Sequence, residues 1–302
     1  MNIVFFSESQ VRGQIPRDFE NARTEYSWMI ALDAPHYPLG TTCSVKYDLG
    51  IIIIPKSNPN VDLNHYRQFC DKVAIMQEGP HWFFQDYTIE NQFNYYSTLL
   101  DADWVYCHNE SDVSYYLGLG CKDVRVMRSL MIPEGLNPRS EWGDATMIGG
   151  NFVSWYGGFD SYIVAREIGN PMSAPSMGRK QDQESMIEDI NYLPYMSWRD
   201  WINTLGQYNV GVHLMRTHAA GTFAMNCGFH SIPCIGYKGL DTQEILHPLT
   251  TIEVGDLDGA REVARKLRSE KFYKLCSDTI KKRFDMYYTE NAWLSNWKKN
   301  CI

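Results

Sequence analysis

The sequence predicts an α/β protein built as two Rossmann-like domains facing across a cleft. Three observations carry that expectation. Apolar runs of strand length recur along the 302 residues and alternate with stretches of helical spacing, the pattern of a parallel sheet covered by helices. Several of those runs end in polar, ligand-capable side chains: Ser7 and Glu8, then Glu78 and His81, then His108 and Glu110. In an open parallel sheet such ends line the binding crevice. Residues 209–237, NVGVHLMRTHAAGTFAMNCGFHSIPCIGY, parse as strand, small-residue turn, helix and strand, a βαβ unit that is right-handed by default.

Taken in order, residues 2–6 predict a first strand and residues 7–14 its polar loop. A helix is expected over 26–34, with Trp28, Met29 and Leu32 on one face. Arg17, Asp18, Arg23 and Glu25 crowd its start, either as a solvated ion-pair cluster or as groups beside the crevice. YDLGIIIIP at 47–55 is a buried strand, 62–71 a helix, and 73–76 a strand leading into the turn that carries Glu78 and His81. Residues 83–100 read as an aromatic helix, 104–107 as a strand, and Ser111-Asp112 as the cap of a helix through Leu117. A short strand at 124–127 completes the first domain, and 136–143 is the expected linker. The domains expected are therefore 1–140 and 141–285, with a final helical segment at 286–302.

In the second domain, Gly149, Gly150 and Asn151 stand where a strand turns toward a helix at 160–168, so a phosphate can approach the backbone. A strand at 172–177 ends in Gly178-Arg179-Lys180. Arg179 and Lys180 there read as diphosphate ligands, Arg as a planar fork and Lys as a point charge, or as an ordinary surface pair. A strand at 191–196, a Ser197-capped helix at 198–205, the βαβ unit and a last strand at 250–254 follow. The helix at 222–229 presents its N-terminus, with Thr222, at the carboxyl end of the strand before it.

Composition narrows the function. An apolar fraction of 44% supplies two cores, and a net charge of −8 argues against general nucleic-acid affinity. Aromatic residues, 14% of the chain with 9 Trp and 19 Tyr, suit sugar faces and aromatic cores equally. The eight cysteines form no C-x-x-C pair, so no metal is expected and a reducing compartment is. The start of the chain has no signal-peptide pattern and no apolar run reaches ~20 residues, so a cytoplasmic protein without a membrane span is expected.

Residues 209–237 also resemble the donor-nucleotide site of GT-B glycosyltransferases, in particular the group with a Glu-x7-Glu signature. Thr222-Phe223 and Ser231 to Ile235 keep that frame, while the two acidic positions fall on His218 and Asn226. The resemblance implies a GT-B fold, a C-terminal helix crossing back to the first domain, and transfer of a hexosyl or pentosyl group from a nucleotide sugar, a UDP-sugar first. It implies no permanently bound cofactor. It places His218 on the sugar or a phosphate, Asn226 on the ribose, and Arg179 and Lys180 on the departing diphosphate. With those cations present and no Asp-x-Asp motif following a strand at a plausible donor site, transfer is expected to be metal-independent. An inverting reaction needs a base from the first domain, with Glu78 and His81 best placed and Glu8 third. In a retaining one the donor phosphate can take the proton.

The acceptor expected is a saccharide or other small hydroxyl compound. The run PRDFENARTEYSWMIALDA is loosely similar to glycosyltransferases of tailed phages, which makes 5-hydroxymethylpyrimidine DNA the alternative acceptor. Residues 1–140 carry 11 Lys and Arg against 17 Asp and Glu, a field that repels a phosphate backbone. Arg12, Arg17 and Arg23, and a C-terminal stretch with 11 Lys and Arg against 5 Asp and Glu from residue 261 on, act the other way. A nucleotide-sugar epimerase and a non-catalytic sugar-binding protein are the competing classes.

Overall fold

The computed structural model describes residues 1–175, 184 and 186–300. The chain divides into two compact units. Unit 1 comprises Met1–Ile132, His218–Ala220 and a C-terminal piece beginning at Trp293; unit 2 comprises Pro133–Thr217 and Gly221–Ala292.

Unit 1 contains β1 (Ile3–Ser7), α1 (Glu25–Ala31), β2 (His36–Pro38), β3 (Tyr47–Ile54), α2 (Leu63–Arg67), β4 (Cys70–Gln77), α3 (Ile89–Asp101), β5 (Trp104–Cys107), α4 (Val113–Gly118) and β6 (Val124–Val126). Its sheet runs β2-β1-β3-β4-β5-β6, with every pair parallel. β3 sits near the middle, and Leu49 and Ile51 to Ile54 are buried, as a strand covered on both faces requires. Gly50 is needed there because a Cβ would meet Cys70 Sγ at 2.7 Å.

Unit 2 contains β7 (Ala145–Ile148), α5 (Gly158–Ile168), β8 (Met172–Ala174), β9 (Ile190–Tyr192), α6 (Trp198–Leu205), β10 (Tyr208–His213), α7 (Thr222–Phe229), β11 (Cys234–Tyr237), α8 (Asp241–Leu246), β12 (Thr251–Ile252), α9 (Leu257–Lys266) and α10 (Glu270–Tyr287). The sheet order is β12-β11-β10-β7-β8-β9, again parallel throughout. The last helix, α11 (Glu290–Asn300), carries Trp293 and Trp297. In unit 1, Trp293 donates its indole N–H to Arg128 O at 2.8 Å, and Trp297 lies on Tyr106 with ring centres 5.5 Å apart.

Several elements match the sequence reading closely: β5 over 104–107, α7 over 222–229, and α6 with Ser197 Oγ accepting from Asp200 N at 3.2 Å. Others differ for identifiable reasons. β2 has three residues and no alternation to reveal it, and its His36 is fixed by Ser7 Oγ at 2.8 Å and Val11 O at 2.7 Å. The helix expected over 62–71 stops at Arg67, because Cys70 pairs with Tyr47 and begins β4. The stretch at 83–100 divides into a 3-10 turn over Phe83–Asp86 and α3, which Thr88 caps. Asp112 does not cap α4; its carboxylate is held by side chains instead. Residues 136–143, expected as a linker, are anchored in unit 2. Arg139 donates from its backbone N–H to His230 Nδ1 at 3.0 Å and from its guanidinium to Tyr208 O at 2.9 Å and the Tyr273 hydroxyl at 2.7 Å. Among the described residues no helix is long and apolar enough to cross a membrane.

Candidate active site

In each sheet the chain reverses its direction of travel once, and adjacent strands there send their following loops to opposite faces. Such a reversal opens a crevice at the carboxyl ends of the strands. In unit 1 the reversal lies between β1 and β3; in unit 2 it lies between β7 and β10.

At the unit 1 reversal a cavity of about 430 Å³ is lined by Ser7, Glu8, Glu25, Tyr26, Pro55 and Glu78, among others. Glu8 is exposed and accepts from Ser57 Oγ at 3.0 Å. The Glu78 carboxylate lies 3.6 Å from Lys56 Nζ and accepts from Lys56 N at 3.4 Å. Glu25 opens α1, and its carboxyl is held above the usual range, chiefly by burial, with the charge of Glu78 adding to it. A carboxyl with a raised pKa is suited to proton transfer near neutrality. Thr24, just ahead of it, has φ 47°, an uncommon conformation for a β-branched residue and one that clusters at functional sites. Sequence reasoning placed Glu25 near the crevice but not among the catalytic candidates. The available signal was its position as the first acid of the helix after β1.

His81 is not among the residues lining that cavity. Its Nδ1 lies 3.1 Å from Asp112 Oδ1, and His218 Nδ1 lies 2.9 Å from the same oxygen. The structure thus places His218 in unit 1 with His81 and Asp112. Burial would raise the Asp112 pKa, but its contacts with His218, His81 and Asn109 hold it well below the ordinary range.

The unit 2 reversal has the opposite character. α5 and α7 both start there, each behind a glycine in the left-handed region, Gly157 at φ 61° and Gly221 at φ 65°, and neither start has a side-chain cap. Those glycines are obligatory: a Cβ on Gly157 would meet Leu214 O at 2.1 Å, and one on Gly221 would meet Thr242 Oγ1 at 2.1 Å. The loop after β10 is tied to the first turn of α5 by Leu214 N donating to Ser161 Oγ at 2.9 Å. First-turn N–H groups without caps form an anion site. Asn151 is 3% exposed, and its Nδ2 donor has no partner among the described residues. His213 Nε2 is likewise buried without a partner among the described residues, and burial pushes the imidazole down to about 4. Gly150 is required for packing, since a Cβ would sit 2.7 Å from Tyr156 O and 3.1 Å from His213 Nε2.

Thr222 begins α7 and is half-buried. Asn226, expected on a ribose, is 2% exposed. With its amide oriented to fit its surroundings, the nitrogen donates to Thr222 O at 3.2 Å and the oxygen accepts from Trp201 Nε1 at 3.0 Å. That amide joins α7 to α6 through one N–H and one lone pair. Arg179 and Lys180 lie outside the described residues.

No family model and no curated protein matches the sequence. Solved structures match in fold. A TarM variant of S. aureus, in complex with fondaparinux, alpha-GlcNAc-glycerol and UDP, is 11% identical with a TM-score of 0.64 over 83% of this chain and 55% of that one. Sucrose-phosphate synthase from Thermosynechococcus elongatus is 10% identical with a TM-score of 0.68, covering 99% of this chain and 98% of that one. Anabaena HepE in complex with UDP and glucose is 8% identical with a TM-score of 0.66, covering 99% of each chain. The chain thus spans about half the length of TarM and nearly all of the other two. The likeness shows the fold: two parallel-sheet α/β domains of six strands each, as in GT-B glycosyltransferases.

Proposed function

We propose that the chain is a glycosyltransferase that takes a sugar from a UDP-sugar bound on unit 2 and passes it to a hydroxyl of a small, uncharged acceptor bound on unit 1. The observation that carries the reading is the unit 2 reversal. Two helix N-termini open there behind left-handed glycines, beside the unpartnered Nδ2 donor of Asn151. A diphosphate supplies the acceptors those groups lack. Crystal structures of similar fold hold UDP, namely TarM and HepE, and HepE holds glucose as well.

On this reading the first-turn N–H groups of α7, Thr222 included, and the Gly150–Asn151 turn receive the diphosphate. Arg179 and Lys180 neutralise it as it departs. The acceptor hydroxyl occupies the cavity of unit 1 and attacks the anomeric carbon as the bond to the diphosphate oxygen breaks. In an inverting reaction the proton passes to Glu25, with Glu78 keeping that carboxyl's proton affinity high and Glu8 orienting the acceptor. In a retaining reaction the proton goes to the leaving phosphate, and the three carboxylates orient the acceptor only. Three carboxylates with one lysine nearby disfavour an acceptor that brings phosphates, which sets hydroxymethylated DNA behind a saccharide.

The test is a thermal-shift panel of nucleoside diphosphates and nucleotide sugars. Stabilisation by UDP and by at least one UDP-sugar is expected, with Arg179→Ala weakening UDP by about 10- to 100-fold, as loss of a charge-assisted contact does. No shift with any nucleotide would contradict the reading. Sugar transfer to hydroxymethylcytosine duplex at low salt, falling steeply as salt rises, would replace the small acceptor with DNA.

A further inference from the structure

We propose that His81, Asp112 and His218 form a site for one zinc-like divalent cation in unit 1. The three ligand atoms, two imidazole Nδ1 atoms and one carboxylate oxygen, all lie within 4.8 Å of one another. The distances from Asp112 Oδ1 to the two nitrogens are 2.9 and 3.1 Å. Around a tetrahedral zinc with bonds near 2.0–2.1 Å, neighbouring ligand atoms stand roughly 3.3 Å apart, so a cation needs only a few tenths of an ångström of opening at those contacts.

The surroundings are those of a supported metal site. Asp112 is 4% exposed. Its second oxygen accepts from Asn109 Nδ2 at 3.0 Å, which turns Oδ1 toward the imidazoles. The ring of Tyr115 lies on His81 with centres 4.3 Å apart and fixes its orientation. Outer groups of this kind orient the ligands of metal sites.

His81 decides between a cation and a purely hydrogen-bonded cluster. Its Nδ1 is sealed from solvent and, among the described residues, has no partner in good hydrogen-bond geometry, although it lies 3.1 Å from Asp112 Oδ1. A proton on that nitrogen would point away from the oxygen and be stranded. A bare nitrogen would set its lone pair against a carboxylate. A cation among the three atoms resolves both. Two neutral imidazoles and one carboxylate leave a fourth position open on a tetrahedral ion. Cobalt(II) would occupy the same donors, since the set has no thiolate to select a softer ion.

This site is independent of the diphosphate chemistry above. It departs from the sequence expectation of no metal, and its ion would sit on side chains of unit 1, apart from the leaving phosphates. The ligands come from three separate loops, so no short spacing motif announces them.

The test is titration of the chelator-treated full chain with cobalt(II), followed by competition with zinc. One equivalent is expected, with a visible tetrahedral d–d spectrum and no thiolate charge-transfer band. His218→Gln and His81→Gln should each weaken uptake on the order of 100-fold, at or beyond the upper end of what losing an outer group costs. His218, 28% exposed, can be changed without opening the core, and an unchanged melting temperature of the metal-free H218Q protein confirms that it folds. No stoichiometric uptake would overturn the proposal, and so would uptake undiminished in both variants or accompanied by a thiolate band.

Discussion

At the reversal point of unit 1 stand Glu8, Glu25 and Glu78 around a cavity. At the reversal point of unit 2 stand two helix starts without side-chain caps, their left-handed glycines, and the unpartnered donors of Asn151. The backbone device is the same in both: six parallel strands with one change of direction. What differs is which polar groups the loops deliver to it. Carboxylates accept protons and hydroxyl hydrogen bonds; bare N–H groups and an amide nitrogen attract anions. Topology therefore says where ligands sit in each unit, and the sign of the local groups says which ligand each unit takes.

The largest effect expected from perturbing this contrast is in unit 1. Glu25→Gln should lower turnover with a UDP-sugar by about 10²- to 10⁴-fold if Glu25 is the base. Activity of the unaltered protein should rise with pH as Glu25 ionises above its ordinary range, and the variant should lose that limb. The sign for stability is opposite. A carboxyl raised by burial stabilises the fold while protonated, and that contribution is lost as pH climbs through the raised value. Melting curves should therefore show Glu25→Gln gaining on the unaltered protein toward neutral pH. A gain toward acid instead would mean that Glu25 is stabilised as an anion.

Next comes Asn151→Ala. Loss of a donor aimed at the diphosphate should weaken UDP by about 10- to 100-fold. Removing a buried Nδ2 donor that has no partner among the described residues should leave the melting temperature unchanged or raised. A large drop in melting temperature with UDP affinity intact would make Asn151 a packing residue. Gly221→Ala sharpens the same side: the left-handed backbone and the clash with Thr242 predict destabilisation of more than about 1 kcal/mol, with weaker UDP binding. Denaturant melts and UDP titration of one preparation measure both.

The smallest effect is diffuse. Burial lowers His108, His213, His230 and His247 to about 4 from 6.5. Each is stable in its neutral form, so their contribution is present above pH ~6.5 and is lost as pH falls toward ~4. Denaturant midpoints should decline over that window, and His213→Asn should make the decline shallower.

The sequence showed the strands and α7 plainly, because buried parallel strands are continuous apolar runs and residues 217–221 are small. It showed the carboxylates at strand ends for the same reason. It could not show which acid is desolvated, since Glu25 owes its raised proton affinity to burial and to Glu78 across the cavity. Asn226 occupied the matching position in the frame, yet only packing shows that Trp201 and Thr222 use its amide. His218 looked like part of the donor turn; its partner is Asp112, 106 residues away. Pairings of that range leave no trace in spacing.

The central claim is that the anion-binding groups belong to unit 2 and the acidic cavity to unit 1. Hydrogen exchange of backbone amides with and without saturating UDP tests it most directly. The account predicts slowed exchange at 149–158 and 222–224, with residues 8–10, 25–26 and 78–79 unchanged. Protection of the unit 1 segments, with those of unit 2 exchanging as before, would contradict it.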